Sequence, residues 1–345
     1  MSQHLNQDSI IPESSFLFGI SRYNQITENQ MDIPQPAQNL ALIIGASGID
    51  VIGVPDSATD AKTTSPGRIR IFYGGVARNV AENLAHLGQP VSLITAVGED
   101  ALGMDILEHL RKAGVDISGC IRCDACNTGV YLAILNPDGE RTFALADRRN
   151  VDQLSPAIIN HQSKTFQKAG MVFLDANLSP ESIRAVMKLA RKCKVPVCAD
   201  PASTSLATRL IPFLSQLEII TPNVQEAAAL LGWPNNPLDL PQTMLAARSL
   251  VDLGVKTALI TMCEKGVCYA SAETNGHIPS ILTNVVDPTG AGDSLTSVVI
   301  YAYLNGISVD DGIRLGVSAA SLTLREYGPI NPNLSLETIY ENLVI

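Results

Sequence analysis

Apolar runs of six or seven residues recur along the chain: LALIIGA at 40–46, VSLITAV at 91–97, MVFLDAN at 171–177, VPVCAD at 195–200, LEIITPN at 217–223 and TALITM at 257–262. Each is followed by a helix-period segment or a turn. Near-continuous apolar strands alternating with helices predict an α/β fold in which a predominantly parallel central sheet is covered on both faces. Ligands of such sheets collect at the carboxyl ends of the strands, and the segments GASGID, DAN, ADPAS and TPN all begin there. Two stretches break the rhythm and read as antiparallel. IDVIGVPD and GRIRIFYGG, within 49–75, form one pair. TGVYLAILNPDGERTFALAD, at 128–147, forms a hairpin turning at Asn136-Pro137-Asp138-Gly139.

The chemistry concentrates in two glycine motifs. In VVDPTGAGDSLTS, at 285–297, a turn through Gly290, Ala291 and Gly292 leaves backbone N–H groups unpaired at the positive end of the following helix. That is a site for an anion. Asp293 stands inside it, where a carboxylate suits proton abstraction from an attacking hydroxyl better than it suits anion binding. A lone G-x-G-D fits a plain helix N-cap equally well. The second motif shifts the balance. GGVARNVAENLAHLG, at 74–88, opens with Gly74-Gly75, which lets backbone approach a ligand closely. It continues as an amphipathic helix with Val76, Val80, Leu84 and Leu87 on one side and Gly88 as its stop.

Together with LIIGASGID at 42–50 and TPNVQE at 221–226, these motifs resemble the ribokinase-like, or PfkB, family of carbohydrate and nucleoside kinases over roughly residues 40–340. The resemblance implies a three-layer α/β/α kinase domain at 40–340, with lid segments at about 49–75 and 120–147, preceded by an extension at 1–39. It implies ATP as donor and Mg2+ as cofactor. Asp293 then becomes the base, with Gly290, Ala291 and Gly292 as anion hole. Asp50, Gly74, Gly75 and Asn79 fall at the acceptor sugar. Asn223, Thr261 and Gly266 join Gly290 and Gly292 at the nucleotide. Glu226 and Asp200 fall at magnesium, and Asp287 and Thr289 at a monovalent cation such as K+. Plainer readings exist: Asn223 and Glu226 as a capping box, Asp50 as a strand end, Asp200 as the opener of an Asp-Pro turn.

The chain departs from the family pattern at three places. Gly48 replaces the Asn of Asn-x-Asp, Cys263 replaces the glycine of T-x-G, and GGVARN stands where ribokinases carry GGKGAN. The last difference argues against free ribose. GGVARN, with SPGRIRIFY, TGVYLAILNPDGE, DANLS, ADPAS and NPNLSLETI, is most similar to the family members that phosphorylate the 5′-hydroxyl of pseudouridine. Ribose, fructose or adenosine as acceptor, and a non-catalytic binding protein, are the alternatives. Related kinases pair through their lids, which implies a homodimer.

Composition narrows the partners. The 345 residues carry 24 basic and 34 acidic side chains, net −10, with pI near 5.0, so no general attraction for nucleic acid or an anionic membrane exists. A small-molecule substrate fits. No apolar run reaches the roughly 18 residues of a membrane helix. Residues 1–39 are rich in Gln and Asn and contain Asp8, Glu13, Glu28 and Asp32. They lack a leader pattern, so a cytoplasmic protein with a flexible or surface-packed extension is expected. Cys120, Cys123 and Cys126 begin a ferredoxin-type pattern, but Val130 occupies the fourth position and strand alternation would send Cys123 to the opposite face, so a metal site is disfavoured. Cys193, Cys198, Cys263 and Cys268 are expected as buried reduced thiols.

Overall fold

A computed structural model describes residues 39–57, 63–137, 141–234 and 236–343. The extension at 1–38 and the turn residues Asp138 and Gly139 lie outside the described residues. The main sheet holds β1 (Leu40–Ile44), β4 (Val91–Ile94), β9 (Ala169–Asp175), β10 (Val197–Asp200), β11 (Ile219–Ile220), β12 (Thr257–Thr261), β13 (Val267–Ser271) and β14 (Asn275–Ile278). Their order is β14-β13-β12-β11-β10-β9-β1-β4. All six apolar runs therefore enter this sheet, and all pair parallel. β13 and β14 add an antiparallel edge that the apolar pattern did not indicate.

Alternation along each strand divides the core in two. Leu42, Ile44, Val172, Leu174 and Ile260 face one layer, which α3 (Pro180–Cys193), α4 (Val224–Leu231) and α5 (Leu240–Asp252) cover through residues such as Val186, Leu230 and Leu250. Ala41, Ile43, Phe173 and Leu259 face the other. There α1 (Val76–His86), α2 (Ala101–Lys112), α6 (Ala291–Leu304) and α7 (Val309–Thr323) supply Val80, Ile106, Val298 and Ile313. This is the three-layer α/β/α arrangement.

A second sheet holds β2 (Gly48–Pro55), β3 (Gly67–Gly74), β7 (Gly129–Leu135) and β8 (Arg141–Asp147), in the order β3-β2-β7-β8. The two predicted antiparallel pairs form, joined by a parallel β2–β7 contact. Register places Phe72, Asp50 and Tyr131 side by side on one face. The opposite face carries two apolar rows, Ile71-Val51-Leu132-Leu145 and Ile69-Gly53-Ile134-Phe143.

The segment before β7 departs from expectation. Instead of joining the second sheet, β6 (Ile121–Cys123) pairs with β5 (Ala96–Gly98). A turn after β6 breaks the alternation and returns Cys126 to Cys123, forming a disulfide. Cys198 and Cys268 are buried thiols as expected, Cys193 is half-buried, and Cys263 is exposed. Among the described residues no helix is long and apolar enough to cross a membrane, and no cluster of three or more His, Cys, Asp or Glu is placed to hold a metal ion.

Candidate active site

The two glycine motifs converge. Gly290 caps α6 at φ 79°, with no side chain closing the helix end. A Cβ there would lie 2.1 Å from the Pro329 carbonyl oxygen. Only glycine combines that dihedral with that proximity. Ala291 and Gly292 follow in the first turn, and a Cβ on Gly292 would meet nothing within 4 Å, so the helix end opens outward. Asp293, in the same turn, accepts a 2.6 Å hydrogen bond from the Asn79 amide nitrogen. Asn79 is buried at 4% exposure and faces neither solvent nor a simple helix surface. Ser297 ties the two helices by donating to the carbonyls of Asp293 and Val80.

Asp50 reaches the same place from β2. The absence of a Cβ on Gly74 makes room for it, since one would stand 2.3 Å from the Asp50 carboxylate. Gly75 holds φ 97°, and a Cβ there would meet the Ala46 carbonyl oxygen at 2.5 Å. Gly48, which replaces the family asparagine, runs against β7 so closely that a Cβ would lie 2.5 Å from the Gly129 carbonyl oxygen. The backbone contact explains why no side chain stands there.

The electrostatics follow from burial. Desolvation pushes Asp293 up to about 7; the Asn79 hydrogen bond and Arg78 oppose the rise, while Asp175 and Asp50 add to it. Desolvation pushes Asp50 up to about 6, against the pull of Arg78 and with the push of Asp287. Asp200 is raised well above its ordinary value by burial and by the charges of Glu226, Asp293 and Asp175. Glu226 is raised by burial despite its hydrogen bonds to Asn223. A carboxylate titrating near neutrality beside unpaired helix-end amides can take a proton from a hydroxyl while an anion is held next to it.

The remaining candidates are partly engaged in structure. Asn223 and Glu226 form the capping box of α4, at 3.0 and 2.9 Å, so the plainer alternative is realised. Asp200 accepts from the Ala202 amide at 2.7 Å and the Thr221 hydroxyl at 3.1 Å. Asp287 accepts from the amides of Thr289 at 2.9 Å and Gly328 at 3.1 Å, bracing the loop ahead of Gly290. Thr261 bridges to Asn223. Gly266 turns at φ 90° against the Ile278 carbonyl, and Cys263 adopts φ 52° in the same turn.

Three neighbours escaped the sequence. Asp175, fully buried, accepts from the amides of Ala46, Ala77 and Asn177 and so locks GASGID to the start of α1. Its place at the end of an apolar strand was the available signal. Arg78 and Glu82 form a buried ion pair inside α1; only the rarity of buried charge marks them.

Comparison with known proteins fixes the class. The pfkB family carbohydrate kinase pattern matches residues 38–336, and the chain belongs to that family. It is 31% identical to the uncharacterized sugar kinase YeiI of Escherichia coli (strain K12), over 87% of this chain and 82% of that protein. It is 29% identical to the pseudouridine kinase of the same organism, over 88% and 96%. A structure of Arabidopsis thaliana ribokinase complexed with ribose and ATP matches with TM-score 0.77 and 25% identity, covering 90% of this chain and 100% of that one. The protein is thus a PfkB-family sugar or nucleoside kinase with a ribokinase-like fold.

Proposed function

We propose that this enzyme transfers the γ-phosphoryl group of ATP to the 5′-hydroxyl of pseudouridine. The observation that carries the reading is the Asp293 carboxylate at the open end of α6, raised to about 7 by burial and aimed by the hydrogen bond from Asn79. Asp293 takes the hydroxyl proton as the oxygen attacks, and the amides of Gly290, Ala291 and Gly292 hold the transferring group. Asp50 accepts hydrogen bonds from ribose hydroxyls, with Gly74 and Gly75 leaving the space and the second N–H of Asn79 open to the sugar. The second sheet then serves as lid, and its inner face places Phe72 and Tyr131 beside Asp50, a setting that suits a nucleobase better than a bare sugar.

The nucleotide side is assigned to Asn223, Thr261 and Gly266. Glu226 and Asp200 fit magnesium held through water, because two desolvated carboxylates that repel each other are relieved by a cation and Mg2+ keeps most of its waters. Bound there, Mg2+ would supply charge neutralisation to the phosphates. A monovalent cation at Asp287 and Thr289 completes the assignment. The deciding experiment supplies ATP with pseudouridine, uridine, ribose, adenosine or fructose. Pseudouridine should be preferred over uridine by up to about 10⁴-fold, because only it offers a free N1–H beside the sugar linkage; equal rates overturn the substrate.

A second copy of the chain is proposed to cover the outer face of the lid. Ile69, Ile71, Phe143 and Leu145 are 72%, 64%, 55% and 61% exposed in two adjoining apolar rows, an arrangement a monomer avoids. Ile71→Lys with Leu145→Lys should convert a dimer in sedimentation to a monomer. A wild-type monomer removes this proposal.

A further inference from the structure

Among the described residues Arg78 heads the fully buried side chains in volume, at 1% exposure, and it brings a charge into the core beside the site. Its guanidinium donates to Glu82, to the Tyr73 carbonyl and to the Asn79 side-chain oxygen, and more loosely to the Gly74 carbonyl at 3.4 Å. Glu82 in turn meets the His109 imidazole of α2 at 2.7 Å. The His109 ring packs on Tyr73 at 4.5 Å between centroids, and the Tyr73 hydroxyl donates to Asp105 at 2.8 Å.

A guanidinium has donors only. Asn79 must therefore show it the carbonyl oxygen, and its amide nitrogen is left on the side of Asp293, to which it donates one N–H. The two ends of an amide have nearly the same shape, so the hydrogen-bond partner decides which way it faces. A neutral or accepting group in place of Arg78 would let Asn79 turn its oxygen on the carboxylate.

We propose that Arg78 is a positioning residue for phosphoryl transfer: it fixes the Asn79 amide so that Asn79 donates to Asp293 and holds that carboxylate aimed and ionised. The inference rests on the assignment of Asp293 as base. Electrostatics agree with the geometry. Of the charged groups facing Asp293, namely Arg78, Asp50, Asp175 and Asp200, Arg78 is the cation. It faces Asp50 as well. Its bonds to the Tyr73 and Gly74 carbonyls would also serve a bare structural brace, so the test must separate aiming from bracing.

The measurement is the pH profile of kcat/KM for pseudouridine at saturating ATP, on the wild type and on Arg78→Met, Arg78→Lys, Glu82→Gln and Asp293→Asn. Arg78→Met should raise the acidic midpoint by about one pH unit and lower kcat at pH 7 by about 10- to 100-fold, with KM for ATP changed less than about twofold. Arg78→Lys retains the charge and should return the midpoint to within about 0.3 of the wild type. Glu82→Gln keeps the shape but leaves the Arg78 charge uncompensated, so the midpoint should fall. A brace gives no opposite shifts. If Arg78→Met does not fold, Glu82→Gln carries the test alone: a downward shift supports the inference, and an unchanged or raised midpoint overturns it. In a folded Arg78→Met, a uniform loss at every pH also overturns it. Normal turnover by Asp293→Asn would instead remove the base assignment. An inert Asp293→Asn beside unmoved midpoints in the other variants removes only the role of Arg78.

Discussion

At two turns of the site, Gly75 and Gly290 combine positive φ with a carbonyl oxygen 2.5 or 2.1 Å from where a Cβ would stand. In the turn after β12, Gly266 is just as crowded, its Cβ position 2.1 Å from the Ile278 carbonyl oxygen, whereas Cys263 three residues earlier holds a φ of 52° with a real side chain, exposed to solvent. The difference is crowding. An unfavourable dihedral alone costs a non-glycine residue about 1–2 kcal/mol and can be tolerated, whereas a dihedral plus a backbone collision cannot be relieved without moving the site. Glycine motifs are therefore dependable sequence marks where backbone meets backbone, and loose ones where only φ is demanding.

The comparison breaks most visibly at Asp293, the residue that the crowded turn presents. Asp293→Asn should cut kcat by about 10²-fold or more with ATP binding nearly unchanged, read by steady-state kinetics and calorimetry. The same change should alter stability in a pH-dependent way. The carboxyl titrates near 7 in the folded protein against an ordinary 3.8, so the folded state holds the proton more tightly. Its stability contribution is complete below about pH 4 and is lost as pH rises through 7. The Asn variant escapes that loss and should melt higher than the wild type at pH 8, but not at pH 4. Near-normal turnover would sever the crowded turn from the chemistry.

Asp50 gives the next effect, since Gly74 exists in this frame to make room for it. Asp50→Ala should weaken acceptor binding by about 1.5–3 kcal/mol, because ribose hydroxyls are left desolvated and unpaired. The 2′-deoxy substrate should react poorly with the wild type. Equal efficiency on ribo and deoxyribo forms, with a neutral Asp50→Ala, would remove Asp50 from the sugar.

These two residues were legible in the chain because each terminates or follows a local pattern: an apolar strand before Asp50, a glycine turn before Asp293. The six buried strands were legible for a related reason, since burial on both faces leaves them almost uninterrupted by polar residues. β14 was not, because this antiparallel edge strand is short and only partly covered, reading NGHI; β13, buried at four of its five residues, was missed because VCYAS carries no run of large apolar side chains. The bond between Asn79 and Asp293 spans 214 positions, and no spacing rule reaches that far. TPNVQE was ambiguous for a different reason. A capping box and a water-organising Asn/Glu pair demand the same residues at the same separation, and the structure shows the cap in place. The Cys123–Cys126 link was hidden because alternation was carried through a segment that turns.

The smallest effect tests the loose side of the comparison. Cys263 sits where relatives place glycine, in a turn that Gly266 already closes against the Ile278 carbonyl. Cys263→Gly relieves the left-handed strain of about 1–2 kcal/mol but increases the freedom of the unfolded chain by about 0.5–1 kcal/mol. The net gain should be about 0.5–1 kcal/mol, visible as a rise of roughly 1–3 °C in Tm. Because the side chain is exposed and the backbone keeps its shape, KM for ATP should change by less than about threefold. A destabilised variant, or one that loses ATP, would show that the thiol itself makes a contact the turn depends on. Crowding would then no longer separate glycine-only positions from tolerant ones, and Cys263 would count as a specific substitution instead of a tolerated one.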